Sequence, residues 1–280
     1  MIISVASGKG GTGKTTVAVN LALSLEENVQ FLDCDVEEPN AHIFLKPEIK
    51  ETRQVFIPVP VVDERKCDYC GKCSEVCEYK AVAVLPKTIM IFEQLCHGCG
   101  GCVIVCPKEA ISEKNREIGV IRKGICKDKI EFVDGILNIS EPMAPPVIKE
   151  IKKNINKNRA VIIDAPPGTS CPMIEAIKGS DYCILVTEPT PFGLNDLMLA
   201  VEVVYKLKIP FGVVINRDGI GYDNVEKYCK KENIPILMKI PFKKEIAMAY
   251  SKGEPMVIAF TKYKKDFQKL FNTIRNRKHS

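Results

Sequence analysis

Thirteen cysteines stand in this chain of 280 residues, and eight of them fall between Cys67 and Cys106 in two runs. The first run is Cys67, Cys70, Cys73 and Cys77; the second is Cys96, Cys99, Cys102 and Cys106. Each is spaced C-x2-C-x2-C-x3-C, and the second repeats the first at an offset of 29 residues. Cysteines three apart in a tight turn can converge on three irons of one face of an iron–sulfur cube, whereas the fourth follows too closely to complete that cube. In the crossed arrangement of bacterial two-cluster proteins, Cys67, Cys70, Cys73 and Cys106 would hold one 4Fe-4S cluster, and Cys96, Cys99, Cys102 and Cys77 the other. Pro107 follows the second run as that pattern expects, while Glu78 stands where the first would carry proline. Structural zinc sites also use C-x2-C pairs and are the competing reading, but two three-cysteine runs with trailing fourths suit zinc poorly. Gly71, Gly98, Gly100 and Gly101 lie between ligands, where small residues let amides point at sulfur. His97 in the same loop is expected to be solvated, because eight thiolates already satisfy two cubes.

A second set of residues opens the chain. Residues 8–15 read G-K-G-G-T-G-K-T, which matches G-x-x-x-x-G-K-[ST]. They lie between an apolar run, Ile2 to Ala6, and an amphipathic one, Val17 to Leu25, and strand–loop–helix is the context in which this motif is trusted. The motif predicts ATP with Mg²⁺: Gly8, Gly10, Gly11, Thr12, Gly13 and Thr16 shape a loop that receives phosphate oxygens at a helix N-terminus. Lys14 would reach the β- and γ-phosphates, and the Thr15 hydroxyl would ligate the magnesium.

Lys9 is an addition to the ordinary motif. With it, the opening loop resembles the deviant Walker sequence of the MinD, ParA and nitrogenase iron-protein group, whose early lysine reaches across a dimer to the partner's nucleotide. Later segments are similar to the same group. Asp33-Cys34-Asp35 resembles its switch I, which implies Asp33 near the magnesium and Asp35 placing the attacking water. Asp164-Ala165-Pro166-Pro167-Gly168 resembles its Walker B and switch II, so Asp164 would hold a magnesium-bound water. Asn216-Arg217 and Pro241-Phe242 resemble the places where the group holds adenine, and an asparagine can read both hydrogen-bonding positions of a base edge. The resemblance thus implies a nucleotide-dependent homodimer whose catalytic residues are Lys9, Lys14 and Asp35.

These residues need a scaffold. Strands are expected at Asn28–Leu32, Ala160–Ile163, Tyr182–Thr187, Phe211–Ile215 and Ile236–Ile240. Helices are expected at Pro146–Lys157, Leu194–Lys206 and Asn224–Lys231, with a loop over Leu137–Pro146. Such alternation predicts an α/β fold, a mostly parallel sheet with helices on both faces, whose ligands gather at the C-terminal ends of its strands. The chain thus resembles a MinD-superfamily P-loop ATPase interrupted by a small α+β ferredoxin-like domain. The expected division is residues 1–58 and 113–280 for the ATPase and 59–112 for the insertion, with the boundaries set at Pro58/Pro60 and at the charged stretch Glu113–Glu117.

Five cysteines lie outside the runs: Cys34, Cys126, Cys171, Cys183 and Cys229. Cys183 and Cys229 sit among apolar residues and are expected in the core. Cys171, seven residues past Asp164, is similar in spacing to the cysteine with which nitrogenase iron proteins bind a bridging cluster, but no suitable second cysteine accompanies it. At the C-terminus Phe260, Tyr263, Phe267, Leu270, Phe271 and Ile274 recur at helical spacing among basic residues. Packing on its own domain is the expectation for this helix, with membrane contact the alternative.

The rest of the composition mainly excludes. Apolar residues at 46% and charged residues at 27% allow a sizeable core and exclude disorder. A formal charge of +5 is too small to argue for nucleic acid. The chain opens on the glycine loop with no signal-like segment, and no apolar run approaches the roughly 20 residues a spanning helix needs, so a cytoplasmic protein is expected. Three functions fit. The first is a redox-linked ATPase, weak without a partner, that gates electron transfer to a redox partner. The second is an ATP-dependent carrier or assembly factor delivering iron–sulfur or metal cofactors to an apo-protein. The third is a positioning ATPase with structural clusters.

Overall fold

The computed structural model describes residues 1–127 and 130–277. The chain begins with β1 (Ile2–Ala6), α1 (Lys14–Ser24), β2 (Val29–Asp33) and α2 (Ala41–Leu45). A long strand, β3 (Glu48–Val62), then leads into a cysteine-rich lobe. In the lobe the one-turn helices α3 (Lys72–Glu75) and α4 (Gly101–Ile104) flank a hairpin of β4 (Val82–Leu85) and β5 (Thr88–Ile91). The chain returns on β6 (Ile111–Ile125) to β7 (Glu131–Leu137), α5 (Pro145–Lys152), β8 (Ala160–Asp164), α6 (Cys171–Ile177) and β9 (Tyr182–Thr187). It ends with α7 (Pro191–Lys206), β10 (Phe211–Asp218), α8 (Asn224–Lys231), β11 (Ile236–Pro241), α9 (Lys244–Ser251), α10 (Met256–Ala259) and α11 (Lys262–Arg277).

One sheet of nine strands results, in the order β11-β10-β9-β1-β8-β2-β7-β6-β3. From β11 to β7 every neighbour is parallel; β6 and β3 are antiparallel additions at one edge. The central strands are apolar runs because helices cover them on both faces. On one face Ile3, Phe31 and Ile162 pack with α1, α10 and α11; on the other Leu32, Ile163 and Leu185 pack with α5, α6, α7 and α8. Phe31 and Phe132 stack inside the first layer with ring centroids 6.1 Å apart. The register matters for chemistry: Val5 pairs with Asp164, Asp164 with Asp33, and Asp33 with Asp134. Three carboxylates are thus aligned across the C-terminal end of the sheet. Asp134 is neutralised there by the two-pronged Arg122, whose Nε donates to Oδ1 at 3.0 Å.

Some limits differ from those the sequence pattern predicts. Helix α7 starts at Pro191, before the expected Leu194, because the Thr190 hydroxyl accepts from the Gly193 amide at 2.9 Å and Pro191 suits a first helical position. Helix α5 stops at Lys152, short of the expected Lys157. Its end is held by Asn154, which donates to the carbonyls of Glu150 and Ile151, and by Gln30, which donates to the Asn154 carbonyl. The segments around Pro58/Pro60 and Glu113–Glu117 lie inside a continuous two-stranded arm. Its pairing runs from Glu48↔Ile125 out to Val62↔Ile111, past positions 59 and 112. Prolines are tolerated in β3 because it is the edge strand.

The tail helix packs on its own domain. Tyr263, Phe267, Leu270, Phe271 and Ile274 are buried in the layer with α1. Among the described residues no helix is long and apolar enough to cross a membrane. Deleting a fully buried ring leaves a cavity as well as losing transfer energy. Phe267→Ala should therefore lower stability by about 3–5 kcal/mol in reversible denaturant unfolding, whereas a helix held free of the domain would show no measurable loss.

Candidate functional site

Two regions collect the chemistry. The first is a cleft of about 380 Å³ at the C-terminal end of the sheet. Its walls include the glycine loop (Gly10, Gly11, Gly13, Lys14, Thr15, Thr16), Asp35 and Glu38 after β2, Pro167 after β8, Asn216 and Arg217 on β10, and Phe242 and Tyr250 around α9. Gly13 has φ +92, and a β-carbon there would lie 2.3 Å from Asn216 Nδ2. That amide donates to the Thr12 carbonyl at 2.8 Å, so Asn216 also braces the loop. Gly8 packs so closely on α7 that a β-carbon would lie 2.0 Å from the Asp196 carbonyl oxygen. Arg217 lines the far wall and is held by Glu188 at 2.6 Å.

The acids behave differently from one another. Asp164 is fully buried and neither of its oxygens has a hydrogen-bond partner, although the Thr15 hydroxyl lies close enough to favour its anion. Burial pushes its carboxyl up to about 7, against Lys14 and Thr15, with Asp35 adding to the rise. Asp35 lines the cleft and is pushed up to about 6, first by burial, with Lys14 opposing and Glu37 and Glu38 assisting. Asp33 does not line the cleft. Its Oδ1 accepts from the Asp35 amide and its Oδ2 from the Ala41 amide, both at 3.1 Å, so it fastens the loop between β2 and α2. Burial and then Asp164 hold its carboxyl well above the ordinary range. Thr12 Oγ1 is also buried without a hydrogen-bond partner among the described residues. Orphaned oxygens beside a buried lysine and a helix N-terminus fit a phosphate chain carrying a divalent cation. Lys9 is half-buried, lies outside this cleft and makes no ion pair among the described residues.

The second region is the lobe. One void is ringed by Cys67, Cys70, Cys73 and Cys106, a second by Cys77, Cys96, Cys99 and Cys102. The crossed sets of the sequence pattern are thus the ones brought together in space. The two halves repeat in backbone detail at the same offset of 29. Amides of Tyr69 and Gly98 donate to Cys67 and Cys96 sulfur, both at 3.4 Å; those of Ala81 and Ala110 donate to Cys77 and Cys106 at 3.2 and 3.3 Å. Left-handed backbone recurs at Gly71 and Gly100, φ +83 and +70. Among the described residues, no three His, Cys, Asp or Glu side chains close tightly enough to hold a single metal ion. Convergent sulfurs around a void, with amides aimed at them, fit a polynuclear cluster better than one tetrahedral ion. His97 is exposed and stacks on Tyr79, centroids 3.4 Å apart, at the rim of the second void.

Several lining residues escaped the sequence pattern. Tyr250, Ile246 and Lys243 form a cover over the cleft from α9, and Asn40 enters from the loop that Asp33 holds. A short helix whose side chains are mostly exposed offers no motif, so nothing short of the fold marks them. Of the scattered cysteines, Cys34, Cys126, Cys183 and Cys229 are buried and Cys171 is exposed at the start of α6.

Comparison with known proteins agrees with this architecture. The CobQ/CobB/MinD/ParA nucleotide binding domain matches residues 3–256. An uncharacterized protein of Methanocaldococcus jannaschii is 35% identical over 94% of this chain and 92% of its own length. A Methanococcus maripaludis protein named iron-sulfur cluster carrier protein is 26% identical over 98% of this chain and 84% of its own. In fold, the septum site-determining protein MinD of Pyrococcus horikoshii, complexed with Mg-ADP, aligns with TM-score 0.61 and 21% identity over 98% of this chain and 95% of that one.

The raised carboxyls of the cleft give a signed pH dependence. Asp35 and Asp164 release their protons near 6 and 7 in the fold against an ordinary 3.8, so the stability that their protonated forms contribute is lost as pH rises across that interval. A bound divalent cation pairs with the anions and removes the penalty. The rise in Tm produced by Mg-ADP should therefore be larger at about pH 8 than at about pH 5.5; an equal rise at both would show that the acids do not face the cation.

Proposed function

Because the chain belongs to the CobQ/CobB/MinD/ParA nucleotide-binding family, we propose that it is an ATPase in which nucleotide-driven closure of two copies is coupled to electron passage through two 4Fe-4S clusters. The observation that carries this reading is the pair of complete cysteine quartets on an arm of the ATPase sheet. Cys67, Cys70, Cys73 and Cys106 hold one cluster and Cys77, Cys96, Cys99 and Cys102 the other. When bound, such clusters supply one-electron chemistry at low potential. Four thiolates per cluster favour retention over release.

In the cleft the chain's own groups do the following. Amides of the loop from Gly8 to Thr16 receive the phosphates, and Lys14 neutralises the β- and γ-oxygens. Thr15 and Asp164 hold Mg²⁺, with Asp33 supporting Asp35 from behind through the loop that it fastens. Asp35, ionised above about pH 6, orients the attacking water. Asn216, Arg217, Pro241 and Phe242 receive the base. Lys9, unpaired and outside its own cleft, crosses to the partner's nucleotide, which makes the site composite and hydrolysis weak in a lone copy.

Delivery of clusters to an apo-protein is the second reading, favoured by the names of several relatives, iron-sulfur cluster carrier proteins among them. The two readings part in one experiment. Protein reconstituted without oxygen should contain eight irons per chain and hydrolyse ATP at rates that differ when the clusters are oxidised and reduced. Equal rates, with a cluster spectrum indifferent to ATP, would remove the coupling; iron transfer to an apo-protein, lost in Cys171→Ala, would establish the carrier. Lys14→Ala should abolish nucleotide-dependent behaviour. Lys9→Ala should retain binding and lose most hydrolysis, by about 10³-fold or more as for an arginine finger supplied in trans, and full turnover in that variant would argue against a composite site.

A further inference from the structure

The nucleotide cleft has two walls that come from different parts of the chain. Asp35, Glu38 and Asn40 line one, on the loop that Asp33 fastens to the first residue of α2; Asn216, Arg217 and Phe242 line the other, at the ends of β10 and β11. Helix α9 spans the gap between them. It starts just after Phe242, whose amide donates to the Asp218 carbonyl of β10 at 2.8 Å, so this end is tied to the second wall. Ile246, Ala247 and Tyr250 then face the cleft along its length. Near its far end Tyr250 meets α2: its ring packs on that of Phe44, centroids 4.9 Å apart and planes tilted by 34°. A second contact lies close by, where a β-carbon on Gly253 would come 3.4 Å from Ile43. The chain beyond α9 is anchored too, since the Val257 amide donates to Asn20 Oδ1 on α1 at 2.8 Å.

The two rings have different exposures to the cleft. Tyr250, 45% exposed, lines it and also borders Thr16, the residue that follows Lys14 and Thr15. Phe44 is not among the lining residues and is partly buried, with Ile246, against the layer that holds α1. One turn before Phe44 stands Asn40, whose Oδ1 is buried in the cleft wall with no hydrogen-bond partner among the described residues. Paired aromatic rings prefer particular geometries, so a displacement of one is felt by the other. A group seated against Tyr250 therefore acts through Phe44 on α2 and on what α2 carries: Asn40 directly, and Asp35 through the loop whose two ends Asp33 holds.

We infer that Tyr250 is a positioning residue for hydrolysis: the nucleoside half of ATP seats against its ring, and the stack on Phe44 carries that occupancy to α2, which aligns Asn40 and the Asp35 loop on the phosphates. This rests on the ATPase reading above and is independent of the clusters. The glycine loop and Lys14 recognise phosphate alone, which any triphosphate offers. Contact with the nucleoside makes turnover depend on the rest of the molecule, so that binding remote from the reacting phosphorus is used to orient it. The reaction is unchanged: water adds to the γ-phosphorus, the bond to the β,γ-bridging oxygen breaks, and ADP, inorganic phosphate and a proton result.

The test compares kcat and KM of the full chain for MgATP and for magnesium tripolyphosphate, with Tm as the check on folding. Tyr250→Ala and Phe44→Ala should each lower kcat for ATP by about 10²-fold, the scale of a misplaced reacting group. The double variant should be no worse than either, because the rings act as one unit. Tyr250→Phe, which keeps the stack, should restore most of the loss, and the loss should be absent with tripolyphosphate, which has no nucleoside. The chain has no tryptophan, so Phe44→Trp places a single indole at the contact. Its emission should shift with Mg-ADP, not with magnesium pyrophosphate, and the shift should vanish when Tyr250→Ala is added. This reading needs no turnover and carries the test should Phe44→Ala fail to fold. A Tyr250→Ala variant that raises KM and spares kcat, full turnover in Phe44→Ala, or an emission shift indifferent to Tyr250→Ala overturns the role of the pair. A wild-type chain that neither hydrolyses ATP nor gains Tm from Mg-ADP overturns the ATPase reading instead.

Discussion

A carboxylate buried with only Lys14 and Thr15 to favour its charge is the constraint on which the rest of this molecule turns. Asp164 ends the strand beside the glycine loop, and among the described residues neither of its oxygens is hydrogen-bonded, with Lys14 and the Thr15 hydroxyl nearby. Such a group is costly as an anion, which is why burial drives its proton affinity upward. The neighbouring acids are each relieved by a different device. Asp134 has Arg122, Asp33 has two backbone amides, and Asp35 opens toward the cleft near Lys14. Asp164 shares Lys14 with Asp35 but has no hydrogen bond to either oxygen among the described residues. The cleft is therefore best stabilised when a cation and its phosphates complete it, and affinity for them is a consequence of how the sheet aligns its carboxylates.

The same line of strand ends ties the cleft to the arm. After Asp35, Val36 accepts from the Leu137 amide at 2.9 Å, and the next residue, Asn138, donates to Ile118 on β6, also at 2.9 Å. Two residues before Ile118 is Arg116, and three residues after Asn138 is Glu141, its partner. A shift of the loop between β2 and α2 thus has a short covalent and hydrogen-bonded route to the Arg116–Glu141 ion pair at the arm. Coupling of this kind must be reciprocal in free energy. Under the proposed function, an effect of nucleotide on that loop and through it on the lobe would be matched by an equal effect of the lobe on nucleotide affinity.

Much of this was legible in the residues. The glycine loop, the limits of β1, β9 and α8, and the crossed cysteine sets follow from motif spacing and period, because each depends on contacts within a few residues or on a repeated turn. The arm did not follow. Glu113 to Glu117 is polar at every position and reads as an exposed boundary, yet it is a strand, since cross-strand pairing with β3 and not burial holds it there. The cover formed by α9 was hidden for a related reason: eight residues with one buried side chain carry too weak a period to mark a helix, and Tyr250 joins the cleft only through the fold. Asp33 shows the limit of motif transfer. Its position beside Asp35 is plain in the sequence, but that its oxygens are occupied by two amides depends on where α2 begins.

Relatives named as iron–sulfur carriers make the fate of the clusters the central functional question, and the lobe's own construction bears on it. A carrier benefits from a site that opens, with ligands shared between copies or left incomplete, so that an acceptor's thiolates can displace them. Here each quartet is closed within one chain, its halves locked by amide-to-sulfur hydrogen bonds repeated at both ends of the lobe. Release would require four displacements and the loss of those bonds. Cys171 has the opposite character: exposed, single, and at the start of the helix that follows the Asp164 loop. Retention in the lobe, with four cysteines around each void, is what the proposed passage of electrons requires of it.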